Sequence, residues 1–279
     1  MSEFLLEEER WPAALAQPQR DRLRDIVSGL RGVPGVLGVA AGGSFVAGRM
    51  DEYSDLDLLV VVTESAFPDM RERRQELAAG LGPLLVAFTG EHVGEPRLLI
   101  CLYGPPPVHV DLKFVTPGDL AARVEDPVVL WDRGGEVRRG LDLGAGSYPG
   151  PDWQWIEDRF WVWAHYAASK IGRGELFEAL GFLAFLRGRV LGPILLAQAA
   201  ARPDGVRRIE QAAPGLARPL EETVARYDPR DILRAARAAI ALYRSLRENA
   251  APPGLLRRDE AEAAAERYLE WVASRLGGA

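Results

Sequence analysis

Short apolar runs broken by Gly and Pro fill the first half of the chain, whereas from Asp152 onward Ala, Leu, Arg and Glu recur at helical spacing. Leu23, Ile26, Val27 and Leu30 fall on one stripe and predict a helix over 19–30. Strands are predicted at Val36–Ala41 and Leu56–Val62, a charged helix over 69–81, and further strands over 84–88, 97–103 and Val108–Val115. Gly104 and Pro105 to Pro107 fit a tight connection better than a crossover helix, so the last strand should run antiparallel to a neighbour. The second half predicts helices over 152–171, 175–202 with a break near Gly192-Pro193, 216–227, 229–248 and 258–276. Asp152 and Asp228 are the expected N-caps, and Pro229 suits the first helical position.

The two textures meet at 144–150, Gly-Ala-Gly-Ser-Tyr-Pro-Gly, where Gly and Pro disfavour both helix and ladder. The expectation is therefore two domains: an α+β unit over 1–145 with a mixed sheet flanked by helices, and an all-α helical bundle over 151–279.

Composition alters this picture little. Of 279 residues 48% are hydrophobic and 27% charged, which suits a folded protein with a core. A net charge of −6 argues against wholesale nucleic-acid binding, which draws its affinity from a basic face. The single cysteine, Cys101, lies in an apolar run and cannot form an intramolecular disulfide, so an inert buried thiol and a cytoplasmic setting are expected. An acidic start and the lack of about 18 uncharged apolar residues in a row argue against export and against a membrane partner.

The chemistry concentrates in Gly42-Gly43-Ser44, then Ser54-Asp55-Leu56-Asp57 running into a strand. Alternation in a strand points Asp55 and Asp57 to one side while Leu56 and Leu58 enter the core. Like charges that close repel unless a proton or cation lies between them, and hard divalent ions such as Mg2+ prefer carboxylate oxygens together with phosphates. Downstream, His109, Asp111 and Lys113 alternate with Val110, Leu112 and Phe114; if that strand lies beside Leu56–Val62, Asp111 completes a triad. Three carboxylates can hold two divalent ions ~3.5–4 Å apart for an in-line displacement at phosphorus. Gly43 lets the backbone approach a phosphate, and the residues after it can open a helix whose free N–H groups attract anions.

This pattern resembles the DNA polymerase β-like nucleotidyltransferase superfamily: Gly-Ser, about ten residues, Asp-x-Asp, and a later carboxylate on a neighbouring strand, here within residues 36–115. The small sheet followed by a helical half is similar to the aminoglycoside and lincosamide nucleotidyltransferases. The resemblance implies that Gly43 and Ser44 bind the triphosphate, Asp55 and Asp57 hold both Mg2+ ions, and Asp111 holds the catalytic metal or takes the acceptor proton. ATP or another nucleoside triphosphate would be co-substrate, and a small-molecule hydroxyl, such as that of an aminoglycoside or lincosamide, the acceptor. Transfer of AMP to a protein hydroxyl on the same sheet, or a non-catalytic nucleotide-binding regulator, are the rival readings. A weaker echo in Tyr166 to Glu178 offers Lys170 and Arg173 as triphosphate ligands and Glu175 as an acceptor base; Arg49 is a further phosphate candidate.

Other conspicuous residues read more plainly. Asp111 could instead pair with Lys113 or Arg97. His109 suits a hydrogen-bonded structural role, and three scattered histidines with one cysteine make no zinc site. Trp153, Trp155, Trp161 and Trp163 are expected to pack a core rather than form a ligand shelf.

Overall fold

The computed structural model describes residues 3–46 and 48–276, and divides the chain into two compact units, Met1–Ser147 and Tyr148–Ala279. In the first unit the order is β1 (Glu3–Leu5), α1 (Gln17–Arg31), β2 (Val36–Ala41), β3 (Leu56–Val62), α2 (Phe67–Gly80), β4 (Leu84–Gly90), β5 (Glu95–Tyr103), β6 (Val108–Val115), β7 (Val128–Arg133) and α3 (Glu136–Leu141). The strands form one mixed sheet in the order β1-β7-β2-β3-β6-β5-β4. Only β3 and β6 pair in parallel; the β5–β6 pair is the antiparallel hairpin expected from the Gly104–Pro107 turn.

Each face of the sheet is covered differently. Leu23, Ile26, Val27 and Leu30 of α1, with Met70 and Ala78 of α2, bury against Leu56, Leu58, Val60, Val110, Leu112 and Phe114. The opposite face carries a smaller cluster of Ala40, Val61, Val115, Leu120 and Val137, roofed by α3 and the turn Gly118–Ala121 that follows β6. Asp57 lies on this second face because its neighbours Leu56 and Leu58 face α1 and α2.

Three strands and helices of the first unit were not foreseen: β1, β7 and α3. In β7, Leu130, Trp131 and Asp132 are all almost fully buried, so both strand faces are covered and no period-two pattern survives. Asp132 tolerates burial because it accepts hydrogen bonds from the Val137 N–H (3.1 Å) and Arg138 N–H (3.2 Å), satisfying the free donors that open α3.

The second unit is helical: α4 (Trp153–Gly172), α5 (Leu176–Leu186), α6 (Gly192–Gln198), α7 (Ile209–Ala212), α8 (Pro214–Glu221), α9 (Pro229–Ala250) and α10 (Asp259–Leu276). Asp152 and Asp228 are the N-caps expected, accepting from the N–H of Trp155 and Asp231 at 2.9 Å each. The break expected at Gly192-Pro193 is instead a π-turn over Arg187–Leu191 that passes into α6 without interruption. Pro193 has no N–H to return to the preceding turn, and the helix absorbs that loss by widening rather than stopping. The run Leu176–Gln198 is thereby long and apolar enough to cross a membrane by length and composition, yet half of its most apolar window is buried within the protein. Arg187 and Arg189 hid its length from a search for uncharged stretches.

Trp161 is buried beside Phe160, which stacks on Tyr243 with centroids 3.8 Å apart, so core packing holds for that tryptophan. Trp153 and Trp163 pack partly buried against the same cluster, while Trp155 keeps about a third of its surface exposed.

Candidate active site

The loop ahead of β3 is fixed before any carboxylate is placed. The buried Gln19 side chain donates to the carbonyls of Asp51 (3.1 Å) and Ser54 (2.6 Å), tying the loop to α1. Within it, Asp51 accepts from the Tyr53 N–H and from the Ser54 hydroxyl. Asp55 follows directly, then β3 begins.

Asp57 is the second residue of β3, and its register partner on parallel β6 is Asp111. Asp55, Asp57 and Asp111 each offer a carboxylate oxygen within 4.8 Å of the other two, all three half-buried. Oxygen-only donors of like charge, gathered on an accessible sheet face, fit a hard divalent cation by their chemistry. Asp111 does not pair with Lys113 or Arg97: both of those bind Glu95, and Arg97 also binds Asp119. Its neighbour is His109, with Nε2 3.0 Å from Oδ1. That hydrogen bond, together with the charges of Asp111, Asp55 and Asp57, holds the imidazole above its ordinary pKa against an opposing effect of burial.

The Gly-Gly-Ser turn presses on the same acids. Gly42 N–H donates to the Asp57 carbonyl at 2.9 Å, and Gly43 adopts φ +58°. A Cβ at Gly43 would lie 1.9 Å from Asp57 Oδ2, so only glycine permits this approach. Ser44 Oγ is buried and finds no hydrogen-bond partner among the described residues. The expected helix N-terminus is absent: Gly43–Phe45 form a single 3-10 turn, because the chain must bend away into the loop that returns to β3. Arg49 is exposed in that loop.

One residue escaped the sequence reading. Glu125, in the segment before β7, accepts the Gly43 N–H on Oε1 at 2.7 Å. It lies 82 residues from Gly43 in a polar loop, and no spacing signal marks it.

Lys170, Arg173 and Glu175 gather in the second unit at the α4–α5 corner. Lys170 Nζ lies 2.6 Å from Glu175 Oε2, Arg173 lies 3.6 Å from Oε1, and Tyr166 donates to Glu178 at 2.7 Å. The Lys170 hydrogen bond holds Glu175 below the usual carboxylate range, which weakens it as a base.

Residues 20–93 match the nucleotidyltransferase domain family, a span that includes Gly43, Ser44, Asp55 and Asp57 and ends before Asp111. No curated protein matches the chain. Among solved structures it is similar to an aminoglycoside 6-adenyltransferase from Bacillus subtilis, at 14% identity over 90% of this chain and 97% of that one, with a TM-score of 0.42. It is also similar to a nucleotidyltransferase-like protein from Exiguobacterium sibiricum, at 14% identity over 90% of this chain and 88% of that one, with a TM-score of 0.38.

Proposed function

We propose, from the match of residues 20–93 to the nucleotidyltransferase domain family, that the protein transfers AMP from ATP to a hydroxyl of a small-molecule acceptor, releasing pyrophosphate. The observation that carries this reading is the convergence of Asp57 and Asp111, from the adjoining parallel strands β3 and β6, with Asp55 just ahead of β3, beneath a glycine turn. These three carboxylates would hold two Mg2+ ions, whose contribution when bound is to neutralise the triphosphate and activate the attacking oxygen.

The chain's own groups supply the rest. Gly43, which lets the turn lie against Asp57, has no Cβ to hinder an approaching phosphate, and the Ser44 hydroxyl, without a hydrogen-bond partner among the described residues, is a donor for a phosphate oxygen. In the transfer, the acceptor oxygen forms a bond to the α-phosphorus, the bond from that phosphorus to the oxygen bridging to the β-phosphate breaks, and pyrophosphate departs. The hydroxyl proton passes to Asp111, whose other neighbour His109 keeps the carboxylate oriented. Positioning and charge neutralisation provide most of the rate gain. A net charge of −6 favours a cationic acceptor such as an aminoglycoside, in the cytoplasm where ATP is supplied.

Purified protein with Mg2+, labelled ATP and a panel of aminoglycosides and lincosamides tests the reading. Pyrophosphate release with mass added to one acceptor, abolished by EDTA and by Asp57→Asn, is expected. Absence of pyrophosphate with every acceptor would favour a nucleotide-binding regulator, and full activity in Asp57→Asn would mean that the site lies elsewhere.

A further inference from the structure

We infer that Glu125 is a built-in competitor for the triphosphate: its carboxylate occupies the Gly43 N–H that a phosphate oxygen would take, and nucleotide binds by displacing it. The inference rests on the proposed use of ATP. A 2.7 Å contact is the length of a charge-assisted hydrogen bond, so the carboxylate fills the donor's bonding direction rather than grazing it. The same oxygen would meet a Cβ at Gly42 at 3.1 Å, so the carboxylate is lodged against both glycines of the turn. One N–H cannot serve a carboxylate and a phosphate at full strength, and two anions at that range repel.

The backbone that carries Glu125 is held in place, which makes displacement a side-chain event. Arg123 donates to the carbonyls of Leu120 and Gly144, both at 2.7 Å, and its own carbonyl accepts the Ser147 N–H at 2.9 Å. Asp126 accepts the Gly146 N–H at 2.9 Å. Gly146 packs so closely that a Cβ there would lie 2.4 Å from the Glu125 carbonyl carbon. With the loop clamped on both sides of Glu125, rotation about its side-chain torsions is the way for the carboxylate to leave the turn. The nucleotide-free protein thus keeps its phosphate donor satisfied, and the affinity for ATP is set below what the turn alone would give.

The test is calorimetric binding of Mg-pyrophosphate and Mg-ATP to the wild type, Glu125→Gln, Glu125→Ala and Asp57→Asn. Pyrophosphate removes any dependence on the nucleobase. Losing a charge-assisted hydrogen bond to a half-exposed carboxylate corresponds to a change of about tenfold. Dissociation constants about tenfold lower for Glu125→Ala, with Glu125→Gln between it and the wild type, support the inference. If wild-type binding is lost in Asp57→Asn yet both Glu125 variants bind equally or more weakly, the inference fails while the proposed function stands. If the wild type binds neither ligand and transfers nothing, the functional reading fails and takes this inference with it.

Discussion

Asp57 and Asp111 are register partners across the parallel strands β3 and β6, and with Asp55 they crowd three carboxylates within 4.8 Å. Like charges that close repel one another when no cation lies between them. Replacing Asp57 or Asp111 by Asn should therefore stabilise the metal-free protein, by about 1 kcal/mol at low salt for charges screened between protein and water. Under the proposed function Mg2+ should raise the melting temperature of the wild type but not of these variants, and transfer should fall on the order of a thousandfold. Melting curves with EDTA and with Mg2+ read the first two; destabilisation of both variants in EDTA would show that the acids hold the fold rather than an ion.

The Gly43 turn separates backbone strain from steric displacement. Gly43→Ala adds a methyl 1.9 Å from Asp57 Oδ2 at φ +58°, so Asp57 must move and activity should collapse by a hundredfold or more, on the order of a lost catalytic contact. Gly94 has a similar φ of +76° but open space around it. Gly94→Ala should cost only about 1 kcal/mol of strain and leave transfer intact. Equal losses of activity in the two variants, measured with stability alongside, would remove the special role of the Asp57 contact.

How much of this was legible depends on whether the signal was local. Val108–Val115 sets His109, Asp111 and Lys113 against Val110, Leu112 and Phe114, so its limits and the facing of Asp111 could be read directly, whereas Leu56–Val62 was legible as a short apolar, Val-rich run with Asp57 its single polar position and both faces buried beyond Leu59. β7 could not be read, since burial of Leu130, Trp131 and Asp132 on both faces erases the alternation. The partner of Asp111 was open to Lys113 or Arg97 on charge alone; the hairpin register decides it by sending both cations to Glu95. Glu125 was invisible for a different reason: its meeting with Gly43 is created by the return of the chain from β6 toward β7, a tertiary contact without a sequence period.

Glu95 makes the acid limb of stability testable. Hydrogen bonds from Arg97 and then Lys113 outweigh its burial and bring its carboxyl from 4.5 down to about 2. A depressed carboxylate contributes stability that is present above pH 4.5 and disappears as pH falls toward about 2. Glu95→Gln should be less stable than the wild type near neutrality, with the difference shrinking over that window. Denaturant midpoints between pH 7 and 2 check this, and a difference that stays constant with pH would assign the effect to packing.

In the helical unit, Glu157 is fully buried, and burial by itself would raise its pKa. Hydrogen bonds from the Tyr243 hydroxyl (2.6 Å), the Arg258 N–H (2.9 Å) and the Trp161 indole (3.2 Å), with the charge of Arg247 (3.0 Å), outweigh that and keep it ionised below the usual range. One carboxylate thus ties α4 to α9 and to the start of α10. Arg247, itself only 3% exposed, retains Glu262 at 2.7 Å when Glu157 is removed, but loses its innermost partner. Glu157→Ala should destabilise the protein by about 3–5 kcal/mol, the cost of breaking a buried pair. Replacing Glu157 and Arg247 together by Met should recover part of that loss, because no buried charge is then left facing an empty position. A double-mutant cycle by thermal or denaturant unfolding decides it: additive losses would mean that the two charges stabilise the bundle independently, through their other contacts.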